Sequence, residues 1–433
     1  MKAFLHRLHL WVGIPIGIML LIFSVTGILM NIPPLSSETL VSRAWMPERY
    51  QARDWSNGAL RGSCDGLLYG NCGVWTEQGD SAGLDGRNVL ALACGADERY
   101  FAVTPGRLWV GSPGHWQPVE LPESDRWCWI ARDDEILLLT GRHSILRAAP
   151  PYKVWEKVNP APPAERVPLP AMVKKLHSGQ LFGSIGKVVV IVLGVFLALL
   201  SATGLLHVAL KRRPNRKQYV ELFRNNLKLH FHIGKILLVL LLLICLTGAF
   251  LRPPLRPLIA DITMDATAEL QQCCRDKVAG DYLVVTQRGF YSLPTFGARL
   301  TRLESAPPIG RKGLTVLQQQ DDGSWLVGSD KGLYRWLRST GEQSLLAEGN
   351  IAGYTARTGA VDAKRGTKLL PQPAAVASAP ISLRSIAMDI HNGRLFFGNG
   401  GAVWVFLGGL LSLVIFLSGW LILPKKPRRK NKS

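Results

Sequence analysis

The sequence predicts a membrane protein, an all-α four-helix transmembrane bundle made from a duplicated two-span unit, with β-rich periplasmic segments between the spans. Three observations carry this prediction. Of 433 residues, 47% are hydrophobic and 19% charged, and the apolar weight gathers in four runs instead of spreading along the chain. Short segments at the ends of those runs concentrate the lysines and arginines. The long stretches between runs alternate β-prone residues with turn residues.

The runs are residues 10–32, 188–210, 233–251 and 402–423, each close to the roughly 20 residues a helix needs to cross the hydrocarbon layer. They divide the chain into a first span (1–32), a β-rich segment (33–170), a second span (171–211), a basic loop (212–229), a third span (230–252), a second β-rich segment (253–390), a fourth span (391–424) and a basic tail (425–433). Arg7 precedes the first run and no small-residue cleavage site follows, so this run reads as an uncleaved anchor.

The formal charge of +20 is decided by where it lies. Lys2 and Arg7, the loop from Lys211 to Lys228, and the tail from Lys425 to Lys432 hold fifteen basic residues against one acid, Glu221. By the positive-inside rule these segments, and both termini, are cytoplasmic, and residues 33–184 and 252–400 are periplasmic, across a bacterial inner membrane. Topology and lipid headgroups account for the charge, and no nucleic-acid partner is expected. Lys174, Lys175 and Arg252 flank spans on the outer side and stand against the rule. Six of seven cysteines, Cys64, Cys72, Cys94, Cys128, Cys273 and Cys274, also fall in the outer segments, an even number that suits disulfides in an oxidising compartment. Spacing does not reveal their pairing. No C-x-x-C-H occurs, which argues against covalently attached haem, and Cys245 reads as a packing residue of the third span.

A repeat joins the two halves. L-H-x-x-x-G-x12-T-G is matched by Leu8, His9, Gly13, Thr26 and Gly27, and again by Leu229, His230, Gly234, Thr247 and Gly248. H-x-G-x-L-F-x10-L-G is matched by His177, Gly179, Leu181, Phe182, Leu193 and Gly194, and again by His391, Gly393, Leu395, Phe396, Leu407 and Gly408. Each copy closes on a small residue followed by glycine and then a basic cluster. The unit is span, outer segment, span, repeated in parallel. Within the outer segments, 100–110, 135–146, 281–293 and 324–336 read as hairpins; 149–170 is a proline-rich connector, and 356–380 has little pattern. Assembly of the hairpins into blades is one way to arrange them.

Seven of nine histidines sit at span ends or just outside: His6, His9, His177, His207, His230, His232 and His391. A polar ring at membrane depth is costly unless partnered, so such positions are functional candidates; the plain alternative is hydrogen bonding to headgroups. The duplication places His9 and His230 at the cytoplasmic ends of two parallel spans and His177 and His391 outside the other two. Two imidazoles opposed across a pseudo-two-fold axis supply the axial nitrogens of a six-coordinate b-type haem, and one pair per face makes two haems. Gly13, Gly179, Gly234 and Gly393 would leave room for a macrocycle, or serve helix packing alone. On the cytoplasmic side the ligand pair stays open among His6, His9, His207, His230 and His232. A metal pore is the competing use, but the four runs contain no Asp or Glu. His115 and His143 read as surface residues.

At these histidines the chain resembles the PepSY-associated transmembrane-helix family, whose members carry H-x-x-x-G…T-G spans and the H-S-G-x-L-F-G motif found at 177–183. The likeness covers the four spans and fits the whole topology. The family includes di-haem ferrisiderophore reductases, so the resemblance implies haem b, in two copies, and electron transfer to periplasmic ferric chelates. It extends by motif to His9, His177, His230 and His391, with His207 a further ligand candidate. The outer segments do not look like the ordinary PepSY α+β domain, which leaves the chelate unidentified.

The expected function is therefore an inner-membrane oxidoreductase that passes electrons across the membrane to a ferric siderophore or other ferric chelate, with His177 and His391 placed for the reductive step. No dinucleotide fingerprint is present, so the donor, quinol or a cytoplasmic reductant, is external. The alternative is a non-enzymatic sensor or iron-uptake accessory protein whose outer domain binds a ligand. A permease fits poorly with four spans that hold so few polar residues.

Overall fold

Four apolar runs without an acidic side chain form four long helices, as their length requires. The computed structural model describes residues 2–50, 53–158, 162–211, 219–310 and 313–422, and two compact units emerge from them. The first comprises 1–36, 167–264 and 384–433; the second comprises 37–166 and 265–383. The basic cluster at 212–218 and the tail at 425–433 lie outside the described residues.

In the first unit, α1 (Lys2–Asn31), α3 (Gly183–Lys211), α4 (Val220–Phe250) and α6 (Gly401–Ile422) are the spans. Two short helices, α2 (Leu169–His177) and α5 (Leu383–His391), precede α3 and α6 and end on the histidines of the repeat. The spans form a ring in which α1 packs on α3 and α6, and α4 packs on the same two. α1 and α4 are thus diagonal partners, as a pseudo-two-fold axis requires. Ile16, Met19, Leu20, Leu193, Leu197, Leu200, Leu241 and Phe416 fill the centre. In lipid the hydrophobic effect does not drive helices together, so close approach matters more. Gly194 supplies it, since a Cβ there would stand 2.9 Å from Ile28. The hydroxyls of Ser24, Ser201 and Ser412 are buried in the bundle and each bonds to the carbonyl four residues back, at 2.6–2.9 Å.

Helix α4 starts at Val220, inside the stretch 212–229 read from sequence as loop. The reason is a buried anchor: Asn226 donates to the Thr203 carbonyl of α3 at 2.8 Å, so the polar first turns of α4 are held by the bundle rather than by apolar content.

The second unit is a closed ring of β-sheets. Five four-stranded antiparallel meanders follow one another in chain order, and a two-stranded ribbon completes the circle. Their first strands are Gly62–Cys64, Ala91–Cys94, Trp129–Asp133, Leu270–Asp276, Val316–Gln319 and, in the ribbon, Ile351–Thr355. Six apolar cores alternate with these six elements. Val74 and Trp109 join the first two, Phe101 and Leu139 the next, Leu138 and Val284 the third pair, and Leu283 and Trp325 the fourth. Leu326 packs on Ile351, and Val361 returns to Trp75 of the first sheet. This is the arrangement of a β-propeller, in which sheets stack face to face around an axis. At the closure Tyr354 N–H donates to the Arg61 carbonyl at 3.1 Å, and Gly353 is required because any Cβ would collide with Arg61. The four hairpins read from sequence are present, and each belongs to a different blade. The stretches 149–170 and 356–380 are less irregular than their composition suggests, since they carry the strands Glu156–Lys157, Ala164–Pro168 and Gly359–Asp362 and the helix Ala374–Ser378.

All seven cysteines are free thiols, against the expectation of disulfides. They fill small slots and find other partners: Arg43 donates to the Cys72 sulfur, and Cys128 donates to the Gln271 carbonyl at 3.1 Å. Cys273 and Cys274 are neighbours on one strand and so face opposite cores. Burial pushes the thiols of Cys128 and Cys274 up to about 12.

Asp276 joins the fourth and fifth blades. It is almost fully buried and accepts from Arg338 at 2.8 Å, Gln319 at 2.9 Å and the Val278 and Ala279 amides at 3.0 Å, while Arg338 also binds Asp281. Burial pushes its carboxyl up, but the Ala279, Arg338 and Gln319 hydrogen bonds outweigh burial and hold it below the usual carboxylate range. Its stabilising contribution is therefore present above the ordinary carboxylate pKa and is lost as pH falls through the lower folded value. Replacing Arg338 by Met leaves a buried carboxylate unpaired. The expected cost is about 3–5 kcal/mol, read as a fall in Tm at pH 7 that shrinks on acidification; an unchanged Tm would refute the role.

Candidate functional site

The four repeat histidines sit at the two ends of the bundle, and each is held in the same way by a neighbouring helix. His9 of α1 reaches α6, where Nδ1 lies 3.1 Å from the Ile415 carbonyl and 3.0 Å from Ser418 Oγ. His230 of α4 reaches α3, with Nδ1 3.1 Å from the Leu200 carbonyl and 3.0 Å from Thr203 Oγ1. At the other end, His177 of α2 lies 3.1 Å from both the Ile244 carbonyl and Thr247 Oγ1 of α4. His391 of α5 lies 2.9 Å from Thr26 Oγ1 of α1, beside the Phe23 carbonyl.

The direction of these bonds follows from the hydroxyls. Thr26, Thr203, Thr247 and Ser418 each donate their own proton back to a carbonyl of their helix, at 2.7–2.9 Å. A hydroxyl whose proton is committed can only accept, and a carbonyl never donates. The ring must therefore carry hydrogen on Nδ1, which leaves the Nε2 lone pair free. The two ring nitrogens point in nearly opposite directions, so Nε2 faces away from the anchoring helix. Histidines that ligate metals are commonly held in this way, with the ring N–H given to a carbonyl or hydroxyl and the other nitrogen left to the metal.

A glycine follows each hydroxyl residue, and it lets the imidazole lie on the helix. A Cβ at Gly419 would stand 3.0 Å from His9 Cε1, and one at Gly204 or Gly248 would stand 3.1 Å from His230 or His177. At Gly27 the distance to His391 is an ordinary 3.8 Å. The repeated T-G pairs, visible in sequence only as spacing, are thus histidine seats. Thr203 and Ser418 were missed as functional residues; their signal was the small residue before glycine near the end of each copy.

His9 and His230 face each other with ring centres 6.4 Å apart and planes at 78°. A metal bonded to one nitrogen of each ring at about 2 Å, with that nitrogen about 1.2 Å from its ring centre, separates the centres by roughly 6.4 Å. The separation of the two rings equals this distance. A cavity lies beside it, lined by His6, Gly13, His207, Gly234, Leu238 and Trp420 among others. A Cβ on Gly13 would meet nothing within 4 Å, so this glycine opens into the cavity. Gly179 and Gly393 do something else: both have positive φ, 74° and 67°, and make the turns between short helix and span. His207 lines the same cavity with its ring against Phe223, 4.4 Å between centres. His232 points away, bonding the Lys228 carbonyl at 2.7 Å. At the opposite end His177 and His391 lie within electrostatic reach of each other, and Phe23 packs on His391 at 5.1 Å. His115 and His143 are exposed on the second unit.

Comparison with known proteins identifies the family of the chain. The family model described as the PepSY-associated TM region matches residues 6–426. The chain belongs to this family. As a PepSY-associated TM protein it is a multi-pass membrane protein, and the matched region includes all four histidines of the two pairs. No curated protein sequence matches it. Two solved structures of B. thetaiotaomicron resemble it, the extracellular domains of proteins described as a one-component and a hybrid two-component system. Both are 11% identical, with TM-scores of 0.32 and 0.31, and cover 66% and 65% of this chain. The chain spans about a quarter of their length, 27% and 26%, and a likeness this weak carries no argument.

The seats generate a graded prediction. Gly204→Ala and Gly419→Ala force an imidazole off its helix, an overpacking cost of about 1–3 kcal/mol, whereas Gly27→Ala adds an ordinary contact. Thermal melts in detergent should rank Gly419→Ala and Gly204→Ala below wild type, with Gly27→Ala near it. Equal melting temperatures for all four proteins would mean the rings are not seated there.

Proposed function

We propose that this protein binds two b-type haems in the bundle, one between His9 and His230 and one between His177 and His391, and passes electrons across the membrane to a ferric chelate. The observation that carries the reading is the His9–His230 pair, 6.4 Å between ring centres, with both Nδ1 atoms tied to neighbouring helices. The charge pattern supports an inner-membrane orientation in which the His9–His230 end is cytoplasmic and the His177–His391 end periplasmic.

A bound haem supplies reversible one-electron chemistry, and the chain's own residues decide how it is held. The carbonyl and hydroxyl acceptors at Nδ1 fix each ring's rotation and make Nε2 a stronger base, which favours the ferric state. The span ring keeps the sites in register: His9 and Thr26 both lie on α1, seventeen residues and so about 25 Å apart, and His230 and Thr247 repeat this on α4. The two sites are thus stacked along the membrane normal in this reading. Leu193, Leu197, Leu241 and Phe416 fill the interior around them and exclude water. At the periplasmic end one electron converts ferric to ferrous iron, a less charged partner for hard oxygen donors, and the chelate's hold weakens. The electron comes from quinol or a cytoplasmic reductant.

The test is a dithionite-reduced minus oxidised spectrum of the purified protein with haem quantified per chain. Wild type is expected to show a b-type spectrum near two haems. His230→Ala should lose one and His391→Ala the other, while His207→Ala keeps both; a folded protein without haem would refute the reading and favour a sensor. A second expectation concerns the anchors: Thr203→Val and Ser418→Ala should weaken haem retention by about 10–100-fold and raise the potential of the site that remains.

A further inference from the structure

The end of the bundle that carries His177 and His391 holds more positive charge than topology explains. Lys174, Lys175, Arg252, Arg256, Arg384 and Arg394 flank the spans there. Positive-inside orientation puts such residues on the other face, so these have a use other than insertion.

Arg252 is the residue the geometry singles out. It follows α4 by two positions, and its guanidinium donates through Nη2 to Oδ1 of Asn392, a buried residue next to His391. It acts electrostatically on both His177 and His391. Arg394 and Arg256 lie within electrostatic reach of it. Among the described residues no carboxylate lies within ion-pair distance of Arg252, and Asp389 is 3.3 Å from Arg394. Arg252 is the half-buried member of this group, with Arg256 and Arg394 exposed around it, and a half-buried guanidinium without a carboxylate partner is costly unless an anion reaches it.

The duplication shows that the histidine scaffold does not need this charge. Four residues after the T-G pair, Arg252 is matched in the first copy by Asn31; Asn392 is matched by Ser178, and Arg394 by Gln180. The histidine pair is symmetric about the pseudo-two-fold axis and the arginines are not. A feature built on one side only is suited to a ligand that is itself polar on one edge.

We propose that Arg252, held by Asn392 and reinforced by Arg256 and Arg394, forms a carboxylate-binding subsite beside the His177–His391 pair. The planar fork of a guanidinium matches a carboxylate in two parallel hydrogen bonds, which a lysine does not reproduce. Two sources present this chemistry: the propionate edge of a porphyrin and a carboxylate-bearing ferric chelate. The inference rests on the di-haem reading for the first source and stands without it for the second.

The experiment uses the full chain in lipid nanodiscs as wild type, Arg252→Gln, Arg252→Lys and Arg394→Gln, each checked for folding by circular dichroism. Haem per chain and midpoint potentials are measured, and calorimetry follows binding of gallium(III) citrate, which is redox-inert, against a gallium(III) trihydroxamate without carboxylates. If the chelate is the ligand, Arg252→Gln weakens gallium citrate binding about tenfold or more and leaves the trihydroxamate unchanged. If the propionate is the ligand, Arg252→Gln shifts the potential or retention of one haem only and leaves chelate binding unchanged. Either result supports the subsite, with Arg252→Lys intermediate and Arg394→Gln weaker in the same direction. Wild-type haem content, potentials and chelate binding in folded Arg252→Gln would overturn it. A haem-free wild type would instead count against the di-haem reading, and the citrate comparison would still decide the subsite. Should Arg252→Gln not fold, Arg252→Lys and Arg394→Gln decide by the same measurements.

Discussion

The bundle depends on one hydrogen-bonded arrangement used four times: an imidazole Nδ1 placed against a carbonyl and a hydroxyl on the next helix. Each copy ties two helices, α1 to α6, α4 to α3, α2 to α4 and α5 to α1. In a bilayer, where apolar packing distinguishes poorly between helix faces, such polar ties and the glycines beneath them set which faces meet. The same ties choose the tautomer. A structural requirement and a chemical one are met by the same atoms, which explains why serine or threonine followed by glycine recurs at each seat.

The duplication is also what builds the second unit. Each half of the chain contributes a span, then three successive β elements, then a short helix ending on histidine, then a span. Neither set of three can bury both faces of its end blades, so the halves close on each other and leave six cores between six elements. The ribbon at 351–362 has two strands where the other elements have four, and its place is made by Gly353 against the Arg61 carbonyl. Asp276 with Arg338 performs the corresponding task between the fourth and fifth blades, adding a buried ion pair to their apolar core.

Against this near-symmetry the differences between the copies carry information. His207 in α3 is matched by Ile422 in α6, and Arg252, Asn392 and Arg394 are matched by neutral residues. Features shared by both copies serve the scaffold and the paired histidines. Those found once mark where the two ends of the bundle have been turned to different tasks, and the arginines are the largest such departure in charge.

The sequence by itself determined the four spans, their order, the duplication and the histidines of interest, because hydrophobic length and repeated spacing are local signals that survive without a partner. It also reached the hairpins, since alternation and turn residues act over a few positions. What it left open was decided only by tertiary structure. His9 faces His230, and His207 stacks on Phe223, because helix rotation is set by which ridge meets which groove. Thr203 and Ser418 become ring acceptors only when helices distant in sequence pack together. Cys273 and Cys274 do not pair with each other because strand alternation sends them into different cores, a geometry that an even number of cysteines does not reveal. The closed ring of blades is the least local feature of all, since it joins residues 62–157 to 270–362 across two spans, and no window of sequence contains both sides of that contact.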